Sequence, residues 1–350
     1  MTSRATTLTV AAMLLVALIS VAVLLPVPYV TMKPGQTVNT LGQTARGPVI
    51  EFGPDVKTYN DDGQLRMTTV SVTSPDSHVG LLQAIDGWFD SSTAVVPRDL
   101  VYPPDQSVQQ AEQQTHLEMT GSQSSAQIAG LTAAGYHVKE QVQITSVTPD
   151  GPANGKIKPG DQLVAVDGNP VTSSQEAVNA VRDRKPGDPV SLTVKRDGKT
   201  QTFTMDTEAS PDDSSVPIVG VELGIVPKFP FSIRFNVDPN IGGPSAGTMF
   251  ALAIYDRLTP GSLTDGQVIA GTGEITVNGK VGPIGGVQQK ILASENVGAK
   301  YFLVPKANCA EATGVGLDGI RLVEIDTLQS AINSLETLAG NPNADVPDCE

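Results

Sequence analysis

The stretch from Asn236 to Gly298 constrains this chain more than any other. Just before it the side chains alternate, with Ile233, Phe235 and Val237 on one side and Ser232, Arg234 and Asn236 on the other. That is the two-residue period of a half-buried strand. Gly242-Gly243-Pro244-Ser245-Ala246-Gly247 then breaks the strand in a tight turn and opens a helix without charge before Asp256. A helix that is apolar nearly all round has no solvent face, so it belongs in a core. Its first turn lies at the edge of that core, where the unpaired backbone N–H groups of Gly243, Ser245 and Ala246 point outward. Amides so placed suit a developing oxyanion.

A second helix, read over 287–297, is entered through Gly285-Gly286 and left at Gly298. At about 100° per residue, Val287, Ile291, Ser294, Val297 and Ala293 share one arc with Lys290 in its middle. Burial disfavours a charged lysine and lowers its pKa, which suits it to act as a general base near neutral pH. Serine is a weak nucleophile until a neighbouring base takes its proton, and Ser-Lys pairs are one form of that arrangement. Each feature alone has a plainer reading. The turn also describes a helix N-cap at Ser245, and Lys290 by itself can lay its stem along a helix edge with its ammonium in water.

Taken in order, Pro244-Ser245-Ala246-Gly247, Gly271-Thr272-Gly273-Glu274-Ile275, Gly282-Pro283-Ile284-Gly285-Gly286 and Lys290 resemble the proteolytic domain of Lon-type serine proteases. The resemblance covers about 231–308, and several motifs agree at once. It implies a Ser-Lys dyad, with Ser245 as nucleophile, Lys290 as general base and Thr272 in a supporting role beside the lysine. One position departs from the pattern. Many Lon proteases carry aspartate where this chain has Gly242, so a polarising carboxylate is either absent or supplied from elsewhere, with Asp238 a candidate.

Tyr136 to about Asp206 has its own logic. Val142, Ile144 and Val147 suggest a strand, and Leu163, Val164 and Val166 a second, closed by Asp167-Gly168-Asn169. Ser173 or Ser174 caps a short helix with Ala177, Val178 and Val181 inward. A hairpin over 190–205 turns at Asp197-Gly198. This pattern, above all Gly160-Asp161-Gln162-Leu163-Val164-Ala165-Val166-Asp167-Gly168, resembles a bacterial PDZ domain. The resemblance implies addition of a peptide strand to a sheet edge, often with capture of a C-terminal carboxylate. Gly135 to Val138 match the family's carboxylate loop only weakly. A small β-rich spacer is the alternative.

No residue between Arg4 and Lys33 is charged, and Leu8 to Leu25 is apolar except for Thr9 and Ser20. Such a run can span a bilayer, with Arg4 marking the cytoplasmic side. A cleaved signal peptide competes with this reading, but 24–29 offer no clear small-x-small site. A net charge of −14 and a pI near 4.6 argue against nucleic acid or anionic lipid as main partner. A phosphate loop is missing, since Gly151-Pro152-Ala153-Asn154-Gly155-Lys156-Ile157 is too short and lacks the hydroxyl. Cys309 and Cys349 read as one disulfide outside the cytoplasm and make a poor zinc site. His78, His116 and His137 show no metal spacing.

The expected fold is a mixed α/β Lon-type proteolytic domain plus a small β-rich PDZ domain, after an N-terminal transmembrane helix. The expected boundaries are a cytoplasmic 1–7, an anchor over 8–30, and an extracytoplasmic 31–134 holding a strand near 64–73 and a helix from Asp105 to Ala134 broken near Gly121. Then follow the PDZ domain (135–207), a linker (208–216), the proteolytic domain (217–340) and a tail (341–350). By resemblance, 31–134 lends a strand to the protease, and the protein assembles as a ring. The functional expectation is an ATP-independent serine endopeptidase, free of cofactor and metal. It is tethered in a bacterial cell membrane and cleaves extracytoplasmic protein or peptide substrates that the PDZ domain presents or gates. The alternative is an inactive membrane-bound PDZ scaffold that binds peptides without turnover.

Overall fold

The uncharged run after Arg4 forms one helix, α1 (Thr2–Leu24), on which Leu8, Met13, Leu14 and Leu18 are exposed. Pro26 and Pro28 cannot continue a helix, and Pro26–Val27 instead pairs with Val79–Gly80. The anchor expected over 8–30 therefore ends early as a helix. Among the described residues, no helix is long and apolar enough to cross a membrane. The computed structural model describes residues 2–60, 62–104, 106–315 and 319–349. Met1, Asp105 and Glu350, which end stretches named above, lie outside them.

Downstream, β1 (Tyr29–Asn39) pairs antiparallel with β2 (Gln64–Val72), with an irregularity between Pro34 and Thr37. Next come α2 (Leu81–Phe89) and β3 (Ala94–Pro97), the latter on the other edge of β1. A long helix, α3 (Val108–Ala133), starts from a capping box in which Ser107 and Gln110 satisfy each other's amides. It runs unbroken through Gly121, contrary to the break expected there. The cost of glycine in a helix, about 1 kcal/mol, is offset by burial of Ser122, Ala126, Ala129 and Gly130. At Gly130 the fit is tight, because a Cβ there would lie 2.8 Å from the Ala251 carbonyl oxygen.

Residues 137–230 form a separate unit. It contains β4 (Lys139–Val147), β5 (Gln162–Val166), α4 (Ser174–Arg182), β6 (Pro189–Arg196), β7 (Lys199–Asp206) and β8 (Val221–Lys228). The antiparallel order is β7-β6-β5-β4-β8 over a core including Val142, Ile144, Leu163, Ala177 and Leu192. Ser173 caps α4 by accepting the Glu176 N–H, and Arg196 holds the buried Asp161 at 2.6 Å. Residues 217–230, expected in the proteolytic domain, fold here. The reason is the open edge of β4, along which β8 pairs from Val221 opposite Val147 to Lys228 opposite Lys139. The stretch 208–216 is tied at both ends, since Glu208–Ala209 pairs with Pro217–Ile218.

The other unit joins residues 1–136 to 231–350. Its second half supplies β9 (Ile233–Phe235), α5 (Gly247–Leu258), β10 (Val268–Gly271), α6 (Val287–Glu295), β11 (Tyr301–Pro305), β12 (Arg321–Ile325) and α7 (Leu328–Gly340). One sheet runs in the order β12-β11-β10-β2-β1-β3, parallel from β12 to β2 and antiparallel beyond. Strands from both halves thus share one mixed α/β core. Buried α5 lines it with Met249, Phe250, Leu252 and Ile254.

Cys309 and Cys349 are bonded across 40 residues. The tail is also docked by its backbone, with Glu324 N–H donating to Pro347 O. A loop of that length stabilises a fold chiefly by restricting the unfolded chain. The double variant Cys309→Ser/Cys349→Ser is expected to lose about 3–4 kcal/mol in chemical denaturation.

Candidate active site

Residues 236–246 carry the chain from β9 to α5, and Ser245 stands two residues before the helix begins. Its carbonyl accepts the Gly273 N–H at 2.9 Å and the Thr272 hydroxyl at 3.1 Å. The corner is therefore held from the loop after β10. Across from it, α6 starts at Gly286, in the left-handed region at φ 68°. A Cβ at Gly286 would lie 2.9 Å from Val70 Cγ2, so glycine lets α6 start close against β2. One turn on, Lys290 is only 3% exposed. Its Nζ lies 2.7 Å from Ser245 Oγ and 2.9 Å from Thr272 Oγ1.

The hydrogen-bond directions define what this trio can do. Because the Thr272 hydroxyl donates to Ser245 O, it accepts from Lys290 Nζ. A neutral amine has two N–H groups and one lone pair, so with one N–H given to Thr272 the same Nζ, 2.7 Å from Ser245 Oγ, has a lone pair available for the serine proton. A substantial fraction of the amine is uncharged near neutral pH. Burial brings Lys290 down from 10.5 to about 7, against the opposing pull of the Glu274 carboxylate. Glu274 is itself raised by burial and by Glu118, while Lys290 acts in the other direction. Asp238, a candidate for the missing aspartate, instead accepts from the backbone and side chain of Asn240. The carboxylate that Lys290 feels belongs to Glu274.

Helix α3 closes over the serine turn, and nothing in the local sequence announces it. A side chain at Gly242 would run into Thr115, which accounts for glycine at the position where an aspartate is common. The Gly243 N–H donates to Thr115 O at 3.1 Å, and the Ser122 hydroxyl donates to Pro244 O at 2.8 Å. Gly243 is therefore engaged and does not serve as a free oxyanion donor in this structure. Among the described residues, the amides of Ser245 and Ala246 have no protein acceptor. Sequence reading missed Thr115, Met119 and Ser122. The one available signal was the small-residue face Ser122, Ala126, Ala129 and Gly130, which marks a helix that packs close.

In front of the serine is a cleft of about 650 Å³, with Met32, Val70, Met119 and Ile241 among its walls. Among the described residues no group of side chains is placed to hold a metal ion. In the unit 137–230, a groove of about 370 Å³ runs along α4 and β8, lined by Leu163, Ala177, Val181, Val219 and Leu223. Its loop is 217–220 and not 135–138, because β8 rather than the start of β4 forms the sheet edge beside α4.

Fold and site together define a chain with a Lon-type proteolytic domain and a PDZ domain. Residues 239–335 match the Lon protease (S16) C-terminal proteolytic domain, and residues 115–207 match the PDZ domain family. Lon protease 1 of Herpetosiphon aurantiacus is 37% identical over 110 residues, 30% of this chain and 13% of that protein. Lon protease 2 of Bacillus subtilis is 34% identical over 126 residues, 36% of this chain and 22% of that protein. The alignments thus take in under a quarter of these relatives' length. Among solved structures, the PDZ domain of the SdrC-like protein from Listeria monocytogenes aligns with 24% of this chain and 86% of its own, at 30% identity and a TM-score of 0.22. The matched family is a proteolytic domain, and both relatives are named as proteases.

Lys290 titrates near 7 folded and near 10.5 when unfolded, so between those values the unfolded chain binds the extra proton. Its contribution to stability therefore rises with pH across that window. A Lys290→Met chain lacks this titration. It should be the more stable by on the order of 1 kcal/mol at neutral pH in urea melts, and the gap should narrow as pH rises towards 10.5. Glu274→Gln removes the carboxylate that favours the charged amine, and is expected to move the acid limb of the kcat/KM profile to lower pH.

Proposed function

We propose that this chain is an ATP-independent serine endopeptidase, tethered to a bacterial cell membrane with its catalytic part extracytoplasmic. It cleaves protein or peptide segments that its PDZ groove presents or gates. The observation that carries the catalytic reading is the 2.7 Å contact between Lys290 Nζ and Ser245 Oγ, made by a buried amine. In that reading, Ser245 Oγ attacks a peptide carbonyl as its proton passes to Lys290 Nζ. The ammonium then gives the proton to the leaving amine, and an acyl-serine forms. Water, deprotonated by the same amine, then attacks the acyl-serine, and the ammonium returns the proton to Ser245 Oγ as the acid product leaves. The Ser245 and Ala246 amides suit the oxyanion.

The cleft suits an extended, unfolded segment, because residues 68–72 of β2 line it and its walls mix apolar side chains such as Met32 and Met119 with polar ones such as Thr68 and Asn240. ATP independence is supported by the missing phosphate loop within the 350 residues. Support for tethering comes from the charge-free run and the exposed apolar side chains of α1. The groove beside α4 fits a peptide strand added to the outer edge of β8. A second reading, peptide binding without turnover, draws on the engaged Gly243 amide.

Casein or peptide cleavage by the full chain in detergent, with ATP removed, should fall by on the order of 10⁴- to 10⁶-fold in Ser245→Ala and steeply in Lys290→Ala. Equal turnover in all three chains would remove the dyad, and stable peptide binding without product would favour the second reading. After lysis of the bacterial host, the chain should stay with the membranes through an alkaline carbonate wash.

A further inference from the structure

Helix α2 is built inside out. A short surface helix usually turns its large apolar residues to the core. Here the buried positions are Ala84 and Gly87, while Leu82, Trp88 and Phe89 are 58%, 57% and 87% exposed. The close approach on the inner side depends on that glycine, since a Cβ at Gly87 would lie 2.7 Å from Val95 Cγ2. At about 100° per residue, Leu82, Ile85 and Phe89 stand on the arc opposite Ala84 and Gly87. Large side chains are thus held outward by a helix docked on its small ones.

The position of this face gives it a meaning. Val79–Gly80, immediately before α2, pairs with Pro26–Val27, set off from the end of α1 by Leu25 alone. The helix therefore begins beside the point where α1 ends. Tyr29, the first residue of β1, meets Trp88 edge-on with ring centroids 5.8 Å apart. Leu25 and Leu100 are exposed as well, and Leu100 belongs to a short turn whose Arg98 N–H donates to Pro28 O. Apolar side chains from three segments thus gather round the exit of α1.

We propose that the outward face of α2, with Trp88, rests in the headgroup region of a lipid bilayer as a second membrane contact beside α1. This rests on the reading of α1 as an anchor. A bilayer fits better than a protein partner because α2 lies beside α1, whose apolar side chains from Leu8 to Val21 are exposed, and any membrane holding α1 reaches the chain at Leu24–Pro26. Tryptophan and tyrosine favour that interface, and short amphipathic helices lie along it. The face has no basic cluster. Asp86 and Asp90 are the ionisable residues of 81–90, so binding needs no anionic lipid.

Trp88 is the chain's single tryptophan, which makes its fluorescence a direct reporter. The full chain is reconstituted into phosphatidylcholine vesicles with and without lipid brominated near the headgroup end of its acyl chains. The expected result is co-flotation with the vesicles, a blue-shifted Trp88 emission, loss of most of that emission to the brominated lipid, and no change when anionic lipid is added. In Leu82→Asn/Phe89→Asn, the chain should still float while the quenching drops. Co-flotation with Trp88 unquenched overturns the proposal and leaves the anchor standing. If Trp88 is then also shielded from aqueous iodide, a protein surface covers the face instead. Failure to float overturns the anchor reading and this proposal with it.

Discussion

Keeping an amine uncharged near neutral pH depends on denying it water, and the architecture of the larger unit follows from that demand at Lys290. Lys290 is buried on α6 with Val287 and Ile291, and those two pack with Ala270 of β10 and Phe302 of β11 in one buried cluster. Burial lowers the lysine's affinity for a proton, and Thr272 accepts one of its N–H groups. The exposed Glu274 opposes that shift, since its charge favours the protonated amine. The resulting base is strong enough to take a serine proton and weak enough to be free at neutral pH.

A second demand is rigidity at the serine corner. The turn at Gly242–Ser245 has few bonds of its own and is held by its neighbours. The loop after β10 binds the Ser245 carbonyl, and α3 binds the Pro244 carbonyl and the Gly243 amide. Because α3 enters through small residues, it approaches closely enough to leave no room for a side chain at Gly242. The position that many Lon proteases give to aspartate is here taken up by helix packing. The carboxylate near the lysine comes instead from the loop that carries Thr272, at Glu274.

In the smaller unit, backbone pairing decides the outcome. An antiparallel strand with an open edge is a ready acceptor for another strand. Val221–Lys228 covers the edge of β4 and becomes the new edge beside α4. The loop at 217–220 and the β8 side of the groove are therefore made by residues that follow the hairpin, facing Leu163, Ala177 and Val181 from before it.

Local pattern was enough for much of this. The strand, turn and apolar helix around Ser245, the helix bearing an inward Lys290, and the Asp197-Gly198 hairpin each follow from spacing within a few residues. Such features depend on the side-chain periods of strand and helix, which a sequence displays directly. What only the tertiary structure decided involves partners far apart in the chain. These are α3 lying on the serine turn, β2 entering the sheet between β10 and β1, β8 capping β4, and Glu274 rather than Asp238 facing the lysine. Their placement depends on which exposed edge or small-residue face finds its complement once the chain collapses, and no local period records that choice.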